Sequence, residues 1–167
     1  FPLSRVIFEG PAEELAATRN QQPALLATSI AYLRVLEERG ALPEPADVAG
    51  HSLGEYTALV AVGSLDLADG IRIVRRRGEL MERYGLGGML AVIGLDRATL
   101  EAIATETGVE LANENAPNQL TLSGRDEALD RAADLARQRG ARRVVRLAVN
   151  AAFHSSLMRP VAEELAR

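Results

Sequence analysis

The sequence predicts an α/β chain of two subdomains, and three observations carry that prediction. The first is Gly50-His51-Ser52-Leu53-Gly54, which fits the pattern G-x-S-x-G and runs straight into good helix formers. That pattern suits a sharp strand-to-helix turn around a strained serine, because glycines let backbone pack closely there. The second is residues 88–149, whose patterns run β-α-β-β-α-β within about sixty residues, the ferredoxin-like arrangement. The third is size: 167 residues, 47% of them apolar, can bury a real core. The expected fold is an α/β-hydrolase-like large subdomain carrying an inserted ferredoxin-like small one. Residues 1–87 and 150–167 would belong to the large subdomain and 88–149 to the insert.

Each element follows from a local pattern. Gln22 to Gly40 reads as a helix, with Pro23 at the first helical position, Leu26, Ile30 and Leu33 at helical spacing, and Gly40 as the stop. Residues 42–45, Leu-Pro-Glu-Pro, read as a loop, and Asp47 to His51 as a short strand. Glu55 to Val62 is a helix without a breaker, which places Ser52 at the junction. Leu67 to Tyr84 is the next helix, with Ser64 or Asp66 near its N-cap and Gly85 past its end. In the insert, Met89–Gly94, Val109–Asn113, Gln119–Ser123 and Arg143–Val149 read as strands. Arg97–Glu106 and Glu127–Arg139 read as helices, the latter closed by Gly140, and Asn115-Ala-Pro-Asn118 joins the middle strands. Asn150 to Met158 is a loop, and a last helix runs to Arg167.

Composition narrows the chemistry. There is no cysteine, which removes a thiol nucleophile, a thiolate metal site and disulfides. All 19 basic residues are arginine, so Schiff-base chemistry and a Ser-Lys dyad are absent. A net charge of −4 argues against a general nucleic-acid binder. No apolar run has transmembrane length and no signal peptide opens the chain, so a cytoplasmic protein is expected. Arginines cluster at 75–77 and from Arg137 to Arg146. Such clusters are solvated faces or a patch for an acidic partner.

Arg77 differs from its neighbours. Three and four residues away stand Ile73, Val74, Leu80 and Met81, all apolar, so Arg77 points to the core side of its helix. An arginine there needs an anionic partner, either a buried carboxylate of the protein or a substrate carboxylate. A serine nucleophile needs a base. The chain has two histidines. His51 adjoins Ser52, and successive side chains diverge at a strand end, so it is badly placed to take the proton. His154, 102 residues on, is the eligible partner of the serine. The Leu53 N–H at the helix start would be one oxyanion donor.

These residues carry a family resemblance. G-H-S-L-G-E-Y (50–56), R-R-G-E-L-M (76–81), N-E-N-A-P-N-Q (113–119) and A-A-F-H-S-S-L-M (151–158), in this order and spacing, resemble the malonyl-CoA:acyl-carrier-protein transacylase family. That family includes the acyltransferase domains of polyketide synthases. F-E-G-P-A-E-E-L (8–15) and Q-P-A-L-L (22–26) are similar to it too. The resemblance covers essentially the whole chain. It implies acyl transfer from malonyl-CoA to the phosphopantetheine thiol of an acyl carrier protein, in polyketide or fatty-acid biosynthesis. No cofactor or metal would be bound. Neighbouring synthase domains are further expected partners, and neither nucleic acid nor membrane is.

By position the resemblance makes Ser52 the nucleophile, His154 the base and Arg77 the partner of the malonyl carboxylate. Phe153, Asn115 and His51 would line the substrate, with Asn113 nearby. Phenylalanine before the histidine accompanies malonyl selection in similar polyketide acyltransferases, although Ala152 stands where their malonyl-selective members usually carry histidine. Asn118 replaces a common glycine, an exchange that a left-handed backbone tolerates. The family's N-terminal G-Q-G segment and its C-terminal part are missing, so the chain reads as an excerpt, incomplete at both ends. Two other readings stay open: an acyl hydrolase acting on carrier-bound groups, and a non-catalytic docking piece of a synthase.

Overall fold

The computed structural model describes residues 1–43 and 45–167. Glu44, within the loop expected over 42–45, lies outside the described residues. The chain divides into two compact units, Phe1–Leu80 and Met81–Arg167.

The first unit is helical: α1 (Leu3–Glu9), α2 (Ala12–Ala16), α3 (Thr18–Glu38), α4 (Gly54–Ala61) and most of α5 (Leu67–Arg83). Neither α1 nor α2 was expected. The long helix α3 starts four residues before Gln22, which puts Pro23 inside it and not at its first turn. An interior proline leaves the carbonyl four residues back without its N–H donor. Here that carbonyl belongs to Arg19, and Arg75 Nη1 reaches it at 3.4 Å from α5. Gly40, at φ +61°, stands just past the end of α3 as the sequence predicts. The strand expected over Asp47–His51 is absent. An extended segment becomes a strand only by pairing, and the described residues of this unit contain no other strand. Ser52 therefore sits at a loop-to-helix junction. Helix α5 opens on the expected Asp66, whose Oδ1 accepts the N–H of Ala68 at 2.8 Å.

Leu26 and Ile30 of α3, Val60 of α4 and Val74 of α5 form the core of this unit. Helices α5 and α3 approach closely at Gly78. A Cβ built there lies 2.6 Å from the Arg19 Cα and 2.7 Å from the Thr18 carbonyl oxygen. Glycine is thus what lets α5 lie against the first turns of α3.

The second unit holds β1 (Gly88–Ile93), α6 (Arg97–Thr107), β2 (Glu110–Ala116), β3 (Gln119–Gly124), α7 (Asp126–Gln138) and β4 (Arg143–Arg146). This is the β-α-β-β-α-β order expected for 88–149. The four strands make one sheet in the order β2-β3-β1-β4, antiparallel throughout. Leu90 and Val92 of β1 with Leu120 and Leu122 of β3 face Leu100 and Ile103 of α6 and Leu129, Ala132 and Ala136 of α7. Asp96 caps α6 by accepting the Thr99 N–H at 2.9 Å. Two boundaries differ from expectation. β4 stops at Arg146, with one further bond from Leu147 N–H to the Met89 carbonyl at 3.0 Å. β2 runs to Ala116, so Asn115 lies in the strand and the turn is Pro117-Asn118 alone. That turn needs no left-handed Asn118, which is not among the positive-φ residues.

Much of the arginine cluster after residue 137 is engaged locally. Arg137 pairs with Asp134, Arg139 with Glu106, and Arg146 with Asp126 and Asp130. Residues 150–167 form a short 3₁₀ turn (Ser156–Met158) and α8 (Arg159–Leu165). Helix α8 is tied within this unit by Glu164, which accepts from Tyr84 at 2.8 Å and pairs with Arg83.

Gly78→Ala tests the close approach of α5 to α3. In an open helix the exchange would stabilise by about 1 kcal/mol. Overpacking against a backbone that cannot rotate away costs roughly 1–3 kcal/mol. The expected net result is a loss, read by urea unfolding. A Gly78→Ala protein as stable as its parent would show slack between the two helices.

Candidate active site

The candidate nucleophile sits on a strained turn. Ser52 has φ +52°, in the left-handed region that disfavours side chains. Such a residue costs on the order of 1–3 kcal/mol and persists only where its surroundings fix it. Three backbone bonds close the turn into α4: Gly54 N–H to the His51 carbonyl at 2.8 Å, Glu55 to Ser52 at 3.3 Å and Tyr56 to Leu53 at 3.0 Å. The two glycines of the motif play unequal parts. A Cβ at Gly50 would overlap the Gly54 backbone, whereas a Cβ at Gly54 meets nothing within 4 Å. Close backbone passage is thus the task of Gly50.

Arg77 reaches this serine. Its Nη2 donates to Ser52 Oγ at 3.1 Å and its Nη1 to Gln22 Oε1 at 2.5 Å. Its guanidinium carbon lies 5.8 Å from the centre of the Tyr56 ring, within cation–π range. The core-side position expected from helical phase is therefore observed. Burial pushes its pKa down from the ordinary arginine value, and Tyr56 and Glu55 offset part of that shift. A guanidinium does not lose its proton in a protein. The shift therefore registers a cation held in surroundings that solvate it poorly. Both hydrogen-bond acceptors are neutral, so the expected carboxylate partner is not what these two nitrogens engage.

Arg75 does not fit its expected place on a polar face. It is only 20% exposed and bonds Glu79 at 2.7 Å, the Asn20 amide oxygen and the Arg19 carbonyl, with Phe1 stacked at 4.5 Å. It fastens α5 to α3, and the buried amides Asn20 and Gln22 serve as receivers for Arg75 and Arg77. Gln22 and Tyr56 went unrecognised as site residues in the sequence. Gln22 read as a helix start because Pro23 follows it, and Tyr56 read as an ordinary helix residue. The usable signal was their presence in the resembling motifs.

Leu53 is the N-cap of α4, with φ −55° and ψ −35°. The first N–H groups of a helix lack intrahelical acceptors, which suits Leu53 N–H to an oxyanion. The His51 side chain is exposed.

His154, in the second unit, is also left-handed, at φ +58°. Among the described residues only Ser52 and His154 combine a side chain with positive φ. The histidine is exposed on a loop between buried Ala151 and Ala152 and the 3₁₀ turn. Phe153 is half-buried, and its carbonyl accepts from Ser123 Oγ at 2.5 Å. Asn115 is exposed on β2, while Asn113 on the same strand stands opposite Thr121. Among the described residues, no group of three or more histidine, aspartate or glutamate side chains is arranged to hold a metal ion. No helix of the described residues is long and apolar enough to cross a membrane.

Comparison with known proteins finds similar chains. A malonyl CoA-acyl carrier protein transacylase from Bacillus subtilis is 48% identical over 171 residues, covering 98% of this chain and 53% of the relative. The solved malonyl CoA-acyl carrier protein transacylase from Coxiella burnetii superposes with a TM-score of 0.96 at 39% identity, over 99% of this chain and 54% of that one. A malonyl-transacylase solved in complex with a type II polyketide acyl-carrier protein gives a TM-score of 0.95 at 42% identity, over 99% of this chain and 56% of that one. The chain thus spans about half the length of the relatives it matches. The acyl transferase domain family matches residues 1–167, and the chain belongs to that family.

Proposed function

We propose that the protein carrying this chain moves a malonyl group from coenzyme A to the phosphopantetheine thiol of an acyl carrier protein, through an ester on Ser52. The observation that carries this reading is the 3.1 Å contact between Arg77 Nη2 and Ser52 Oγ. In a malonyl ester, the free carboxylate stands three bonds from that oxygen. A guanidinium already beside Oγ needs little movement to meet it. The carboxylate supplies a hydrogen-bonding anion to a half-buried cation whose two hydrogen-bond acceptors are neutral, and an acetyl group does not.

Ser52 Oγ attacks the thioester carbonyl as His154 takes the hydroxyl proton. The oxyanion forms against the Leu53 N–H, and the coenzyme A thiolate leaves with the proton from His154. The carrier thiol then gives its proton to His154 and attacks the ester carbonyl, and His154 returns that proton to Ser52 Oγ as the ester bond breaks. No electrons change hands, so the chemistry calls for no bound cofactor. Phe153 would wall the acyl pocket, and Asn115 and His51 would line its approach. In this reading residues 1–87 and 150–167 belong to an α/β-hydrolase-like large subdomain and 88–149 to a ferredoxin-like insert. The protein would work in the cytoplasm beside its carrier protein and neighbouring synthase domains. The relatives named as transacylases, one of them bound to a carrier protein, support the choice of partner.

Ser52→Ala should abolish the acyl adduct that mass spectrometry finds on the full-length protein after exposure to malonyl-CoA. His154→Ala should slow its formation by at least about 10². Normal loading of the Ser52→Ala protein would remove the nucleophile assignment. Acyl groups released as free acid, with none reaching the carrier, would favour a hydrolase.

Arg77→Ala should reduce the preference for malonyl over acetyl donors by about 10- to 150-fold, the worth of a charge-assisted hydrogen bond of roughly 1.5–3 kcal/mol. Arg76→Ala should leave selectivity unchanged, since that side chain is 47% exposed and its pairing with Glu79 spans 4.0 Å. Arg75→Ala should lower stability without altering selectivity. Equal loss of selectivity in all three would mean that net charge, and not the Ser52 contact, sets the preference.

Phe153→Ser should admit methylmalonyl-CoA. If the ring fills the space of an α-methyl group, overpacking of roughly 1–3 kcal/mol corresponds to about 5- to 150-fold discrimination. Competition between the two donors, read as acyl mass on Ser52, measures it. A parent protein that already prefers methylmalonyl would refute the assignment.

A further inference from the structure

Ser123 is fully buried, yet it is a hydroxyl on a strand that also carries the buried Leu120 and Leu122. Alternate residues of a strand face opposite sides. Leu120 and Leu122 face α6 and α7, so Ser123 lies on the other side of the sheet. A buried hydroxyl is tolerated when it is hydrogen-bonded. Its Oγ donates to the Phe153 carbonyl at 2.5 Å. That carbonyl belongs to the peptide unit whose nitrogen is that of His154. The bond therefore holds one of the two peptide planes flanking the left-handed histidine.

Directly opposite Ser123 on β2 is Glu110. Both of its carboxylate oxygens accept the Ser156 N–H at 3.0 Å, and the Ser156 hydroxyl donates to one of them. Between these anchors, Ser155 Oγ donates to the Ala152 carbonyl at 2.6 Å and accepts the Leu157 N–H at 3.3 Å. Adjacent residues on two paired strands thus grip the chain one residue before His154 and two residues after it.

We infer that Ser123, with Glu110 as a weaker second anchor, is a positioning residue that fixes the backbone of His154 for proton transfer. The inference rests on the reading of His154 as the base. Ser123 is the stronger anchor because its bond is shielded from water, whereas Glu110 and Ser156 are exposed. A base displaced by about 1 Å loses up to roughly 10² in rate, so a modest loosening of this loop is enough to register.

The test uses Ser123→Ala, Glu110→Ala and Glu110→Gln in the full-length protein, each also combined with His154→Ala. Removing one oxygen from Ser123 leaves the packing intact. Ser123→Ala should slow single-turnover acylation of Ser52 about tenfold, with the KM for malonyl-CoA within about twofold, because only orientation is disturbed. Glu110→Ala should cost less, and Glu110→Gln should recover part of the loss. In the His154→Ala background none of the three substitutions should slow the reaction further, since all act through that side chain. Amide exchange at residues 154–156 should accelerate in Ser123→Ala. Wild-type acylation by Ser123→Ala beside an inactive His154→Ala would overturn the inference, as would equal losses in both backgrounds or unchanged amide exchange. If His154→Ala itself acylates normally, the base reading fails, and the exchange data still report separately whether the anchor exists.

Discussion

A guanidinium placed on the core side of α5 organises the first unit. Arg77 keeps its charge, and burial solvates that charge poorly. Acceptors must come to it, and the local structure is arranged around that need. Gln22 offers its amide oxygen only because α3 has already begun at Thr18, which forces Pro23 into the helix interior. The carbonyl that Pro23 leaves without a donor is met by Arg75, two residues before Arg77 on the same helix. Both contacts require α5 to run close against α3, and Gly78 permits that approach. A proline that looks misplaced, a helical glycine and two buried amides therefore have one common cause.

The same interaction explains which parts of the site were legible beforehand. Helical phase alone turned Arg77 inward, because four apolar residues surround it on its own helix. The elbow was legible from its glycines, although only Gly50 turns out to be sterically required. The small unit was legible from the β-α-β-β-α-β succession of its local patterns, but of its three strand pairings only β2 with β3 is joined by a short turn, so the sheet order was not. The failures were tertiary. Pro23 marks a helix start locally, and only a donor from another helix reverses that. Residues 47–51 have strand-like character but no partner strand among the described residues of their unit. Asn115 looked like turn chemistry, yet β2 and β3 pair through to Ala116 and Gln119. Ser123 carries no motif at all. Its role depends on a loop thirty residues further on.

Ser52 and His154 share a left-handed backbone state, which the G-x-S-x-G pattern announces for the serine and no motif announces for the histidine. Each side chain in a left-handed conformation costs on the order of 1–3 kcal/mol, so something must hold it there. The two positions use different means. At Ser52 the constraint is steric and consists of main chain: Gly50 passes so close to Gly54 that no other residue fits, and the bonds closing the turn are backbone bonds. At His154 the constraint is made of side chains, with Ser123 and Glu110 reaching out from the sheet.

The difference governs how each position can change. A steric constraint fails all at once, because any Cβ at residue 50 must displace the start of α4. Hydrogen-bonded anchors can be removed one bond at a time, so each removal should shift the histidine without collapsing the fold. The serine turn is thus fixed by the path of the chain. The histidine loop is adjustable through residues that lie outside the recognisable motifs, so the orientation of the proposed base can be tuned by substitutions on β2 and β3 while the A-A-F-H-S-S-L-M segment stays the same.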